Sequence, residues 1–144
     1  MPSDVATAEQ ISRVIAQATA PAFLLGAVAA FISVLITRMN RIVDRSNVLI
    51  AIPDDDPGRA QLKAVLPRLK RRARLLNKAI EFAVISGIFT TLLVIMAFAS
   101  AFLSLKHEYG AAIMFSIALL FFGASLVALL LEVRAALRDL DFYV

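Results

Sequence analysis

Residues 36–53 read ITRMNRIVDRSNVLIAIP, and whether a membrane helix ends inside this stretch or runs through it decides the fold. Upstream, residues 17–37 contain no Lys, Arg, Asp or Glu. Arg38, Arg41 and Arg45 then arrive at helical spacing, with Asn40 and Asp44 among them. A basic flank of this kind commonly ends a span. No Gly or Pro follows until Pro53, however, and Leu35, Met39, Ile42 and Leu49 continue in steps of three and four, with Ser46 in register. That spacing lets a helix pack on a partner helix in water. One helix is therefore predicted over about 17–51, its span at 17–37 and the remainder extending into water as one arm of a stem.

The rest of the chain agrees with a membrane setting. Of its 144 residues 60% are hydrophobic and only 18% charged, which is outside the range of soluble domains. Two more windows, 82–104 and 111–131, lack charge and have the roughly 20 apolar residues that cross a bilayer. The first window lacks a basic segment before it and is too long for a signal peptide, so it is expected to stay in the chain. With no cysteine and His107 as the one histidine, disulfides, thiol catalysis and His/Cys zinc sites have no support, and no cofactor is implied.

Charge sets the topology. Residues 38–78 hold 11 of the 15 Lys and Arg, whereas the segments on the other side of the spans hold only Arg13 and Lys106. By the positive-inside rule the long connection is cytoplasmic, the N-terminus outside and the C-terminus inside. Basic residues beside lipid are topology signals and anionic-lipid contacts, and no nucleic-acid partner is expected.

The expected architecture is an all-α integral membrane protein, one membrane domain over 1–144. A short outer amphipathic helix over 5–18, carried by Ile11, Val14, Ile15 and Ala18, leads into the first span near Pro21, which marks either the first turn of the span or a kink in a continuous helix. The breaker cluster AIPDDDPG places a hairpin tip at 52–57, with Asp56 as cap and Pro57 in the first turn of a second helix over 58–104. Leu62, Val65 or Leu66, Leu69, Ala73, Leu76 and Ile80 give that helix its stem face, and Pro67 is expected to kink it. A turn at 105–110 and a third helix over 111–140 complete the chain.

The segments RIVDRS and RRARLLNKAIEF, with ATAPAFLLGAVAAFISVLITRMNRIVDR as a unit, resemble the bacterial membrane proteins grouped as the domain of unknown function 2721 family. The resemblance covers nearly the whole chain. It implies three membrane helices in a bacterial cytoplasmic membrane and no established activity.

Two polar stripes carry what functional signal there is. On the first helix Thr19, Ala22, Gly26, Ala30, Ser33, Thr37, Asn40, Arg41 and Asp44 share one face. On the second span Ala83, Ser86, Thr90, Ala97, Ser100, Ala101 and Ser104 do the same, interrupted by Leu93. Small residues let helices approach closely, so packing is the first reading, and a hydroxyl-lined ion path the second. The third span is more uniformly large and apolar, and is expected to face lipid.

At the inner end of the spans Asp44, Glu81 and Glu132 fall near one depth among Asn40, Arg41, Arg45, Arg74, Asn77 and Arg134. Salt bridges that set helix register are the plainer reading of this cluster, and a charged inner pore mouth the sharper one. A symmetric homo-oligomer is expected, first and second helices inside. It is either an ion-conducting pore or a scaffold whose basic stem binds a cytoplasmic protein partner or anionic lipid. Catalysis has no constellation to support it.

Overall fold

The computed structural model describes residues 2–103 and 108–140. The regular elements among the described residues are all helical: α1 spans Pro2–Ile50, a short 3-10 helix Ala60–Val65, α2 Leu66–Leu103 and α3 Glu108–Leu140. All three α-helices are long and apolar enough to cross a membrane, the pattern of a multi-pass membrane protein.

Each helix buries one narrow stripe, and the stripe repeats every seven residues. On α1 it is Pro21, Val28, Leu35, Ile42 and Leu49. On α2 Leu69, Leu76, Ala83 and Thr90 are buried, as are Ala79, Ser86 and Leu93 three residues further along each turn pair. On α3 Ala118, Ser125 and Glu132 are buried at the same interval, with Ala128 buried beside them. Seven residues make nearly two turns, so a strict heptad keeps one seam facing its neighbours along a helix. Many seam residues on α2 and α3 are Ala or Ser, which let helix backbones come close.

Two compact units share the three helices. One comprises residues 1–31 and 83–123. Its core includes Val28, Ala83, Ser86, Thr90 and Ala118, and two aromatic pairs brace it. Phe31 meets Phe122 edge-on at 5.5 Å, and Phe89 stacks on Phe121 at 5.9 Å. The Ser86 hydroxyl, fully buried, donates to the Ala118 carbonyl at 2.7 Å and ties α2 to α3.

The other unit comprises residues 32–82 and 124–144. Leu35 and Leu76 are fully buried in it, with Ile42, Leu49, Leu69 and Ala79 around them. Here the Ser125 hydroxyl donates to the Ala79 carbonyl, a second tie from α3 to α2.

Three features differ from expectation. There is no separate outer helix over 5–18: of the two readings of Pro21 the continuous helix holds, and α1 runs unbroken with the proline inside it. Proline removes one N–H and crowds the preceding turn, and Pro21 lies buried on the α1 seam. Secondly, residues 58–65 are not α-helix. Asp56 closes a turn instead, its carboxylate accepting from the Gly58 N–H at 3.1 Å and its carbonyl from the Ala60 N–H at 3.0 Å, and the 3-10 helix follows. Pro67 consequently occupies the first turn of α2, where its missing N–H has no intrahelical partner to lose. A kink there has no cause. Thirdly, α3 is not simply a lipid-facing helix, since Ala118, Ser125, Ala128 and Glu132 all enter the core.

Candidate functional site

The two hydroxyl stripes have opposite fates. Ser86 and Thr90 on α2 are fully buried, and Ser100 is half-buried. Thr90 donates to the Ser86 carbonyl at 2.8 Å and Ser100 to the Met96 carbonyl at 2.7 Å. These hydroxyls are satisfied inside the chain, as lipid demands of any polar group. Leu93, which breaks the small-residue pattern in sequence, fills the same buried seam. Ser104 and His107 lie outside the described residues.

The α1 stripe faces away from the chain's own core. Thr19, Ala22, Gly26, Ala30, Ser33, Thr37, Asn40, Arg41 and Asp44 are all exposed. Thr19 and Thr37 return their hydroxyl protons to the Ile15 and Ser33 carbonyls, each at 2.9 Å. A Cβ added at Gly26 would meet nothing within 4 Å, so nothing inside this chain requires glycine there.

The acidic residues also part company. Glu132 on α3 is fully buried and accepts four guanidinium N–H groups. Arg38 on α1 reaches one carboxylate oxygen through Nε at 3.2 Å and Nη2 at 2.7 Å. Arg72 on α2 reaches the other through Nε at 2.9 Å and Nη2 at 2.8 Å. One carboxylate thus joins all three helices. The triad carries one net positive charge, and the side chains of Arg38 and Arg72 remain 37% and 22% exposed.

Asp44 and Glu81 do not join it. Both are exposed, as are Asn40, Arg41, Arg45, Arg74 and Asn77, so the cluster expected at one depth divides into an inward triad and outward groups. The physical reason is helix rotation: Glu132 sits on the α3 seam, whereas Asp44 and Glu81 sit off the seams of their helices. Glu81 accepts from the Asn77 amide at 2.8 Å, one turn earlier on α2. Asp44 makes no ion pair with Arg41 or Arg45 among the described residues.

Arg38 and Arg72 are the residues that sequence reasoning missed. Arg134, two residues from Glu132 on α3, is exposed and makes no ion pair with it among the described residues. The heptad phase held the signal. Arg72 lies seven residues before Ala79 and Glu132 seven after Ser125, each on a buried seam, so an arginine and a glutamate were due to meet inside.

Beyond the triad, an open groove of about 410 Å³ runs between α1 and α2, lined by Met39, Ala73, Arg74, Asn77, Lys78 and Glu81. At the hairpin tip Lys63 pairs with Asp54, and that contact holds the Asp54 carboxyl below its ordinary range, first by the hydrogen bond and then by the lysine charge.

Comparison with known proteins bears on the whole chain. The sequence model of one family, described as a protein of unknown function (DUF2721), matches residues 18–142. No curated protein matches, and no solved structure does.

Proposed function

We propose, of a chain that belongs to the DUF2721 family, that it is a self-associating scaffold of a bacterial inner membrane, N-terminus outside, whose basic inner end engages anionic lipid or a cytoplasmic partner. One observation carries the reading. The small and polar face of α1 is exposed from Thr19 to Asp44, while on the matching face of α2 Ala83, Ser86 and Thr90 are buried within the chain. In lipid, helices gain from close packing of small faces, and Ala22, Gly26 and Ala30 recur at the four-residue interval that permits it. The occupant that fits is α1 of a second copy. Symmetric pairing of like surfaces is the usual way such a face is covered.

The chain has no cysteine, so Ser33→Cys gives one clean cross-linking site. In native membranes this variant is expected to form disulfide-linked dimers, and adding Gly26→Leu is expected to suppress them. Monomer alone under oxidising conditions overturns the reading.

An ion-conducting pore is the second reading, favoured by exposed Ser33, Thr37 and Asn40 in one phase above the exposed Asp44. It requires copies of α1 around an axis. Reconstituted protein would then pass ions, and Asp44→Asn would change their selectivity. An electrically silent preparation of intact oligomers removes this reading and leaves the scaffold standing.

A further inference from the structure

We infer that the groove between α1 and α2 is a specific binding site for the phosphodiester headgroup of an anionic phospholipid such as phosphatidylglycerol. Arg74 and Lys78 stand one turn apart on α2, both exposed and both without an ion pair among the described residues. Met39 and Ala73, both half-buried, supply an apolar floor. That floor suits the glycerol and acyl part of a lipid, and has nothing to offer a free inorganic anion.

Charge narrows the ligand further. Glu81 lines the same groove and is held in place by Asn77, so two cations and one carboxylate leave one net positive charge. One positive charge matches a phosphodiester, which carries one negative charge; a phosphomonoester near neutral pH carries nearly two. The depth of Lys78 is also right. Lys78 lies four residues before the apolar window that opens at Phe82, a rise of about 6 Å along the helix. The headgroup layer beside the hydrocarbon is about that thick.

The inference rests on the membrane orientation proposed above, and its test separates the two. Full-length protein in mild detergent is mixed with phosphatidylglycerol, phosphatidylcholine or inorganic phosphate, and bound lipid is counted by native mass spectrometry. Wild type is expected to retain phosphatidylglycerol over phosphatidylcholine. The double variant Arg74→Gln/Lys78→Gln is expected to bind it about thirtyfold more weakly, the effect of two cations at a lipid surface. Lys70→Gln/Arg71→Gln removes the same charge from α2 outside the groove and is expected to bind as wild type does. Equal loss in both double variants, or none in the first, overturns the site. Displacement of the lipid by inorganic phosphate shows a plain anion site and overturns it as well. Failure of the orientation shows elsewhere: a cysteine placed in the hairpin tip would then be labelled from outside intact cells.

Discussion

Replacing Arg72 by glutamine probes a place where all three helices meet through polar atoms. The variant removes two of the four N–H groups that Glu132 accepts. Hydrogen bonds to charged groups contribute about 1.5–3 kcal/mol each, so Arg72→Gln is expected to cost about 3–5 kcal/mol. Arg38→Gln should cost less, about 2–3 kcal/mol, because its side chain is 37% exposed against 22% for Arg72 and water replaces it more readily. Removing both arginines leaves a fully buried carboxylate with no donor, and that double variant should not fold stably. The triple variant Arg38→Met/Arg72→Met/Glu132→Leu removes the charges together and should recover most of the stability, since a buried ion network and a well-packed apolar set are close in free energy. The assay needs one reporter. Ala128, 7% exposed near the triad on α3, becomes a buried thiol in Ala128→Cys, and its alkylation over an SDS titration reads unfolding in a chain with no other cysteine. An Arg72→Gln midpoint within about 0.5 kcal/mol of the parent, or a triple variant less stable than the double, refutes the account of the triad.

Other substitutions test the remaining structure. Ser125→Ala removes the hydroxyl tie to Ala79 and should cost about 1 kcal/mol, whereas Ser116→Ala, whose exposed hydroxyl only returns to the Ala112 carbonyl, should be nearly neutral in the same assay. Pro67→Ala should change stability by less than about 0.5 kcal/mol and leave helix content by circular dichroism unchanged, because a first-turn proline bends nothing. At the tip, Asp54 titrates below its ordinary range in the folded protein, so its contact with Lys63 favours the closed tip above that range and is lost as pH falls through the folded value. In Lys63→Gln the carbon-13 chemical-shift titration of Asp54 should move up toward ordinary aspartate. An unmoved midpoint would mean that Lys63 is not the cause.

How much of this was readable before the structure depends on the kind of interaction. Long apolar runs and three-four spacing are local properties, so the three helices and the stem residues Leu35, Ile42, Leu49, Leu69 and Leu76 followed from pattern alone. The tip was half legible. AIPDDDPG announced a break, but a 3-10 turn after Asp56 and an α-helix starting at Pro57 use the same residues, and the Gly58 and Ala60 hydrogen bonds decided between them.

The candidate site was less legible. Sequence placed Glu132, Arg74, Asn77, Glu81 and Asp44 at one depth, which counts residues along a helix and says nothing of rotation about it. Rotation is set by which face each neighbour covers, and the same polar stripe therefore became core on α2 and surface on α1. By itself the sequence determined that three helices of membrane-crossing length exist, because hydrophobic length is a sum over neighbours in the chain. Only the tertiary structure decided that Arg38 and Arg72 close on Glu132, because 60 and 94 residues separate the partners and only packing brings them within hydrogen-bond reach.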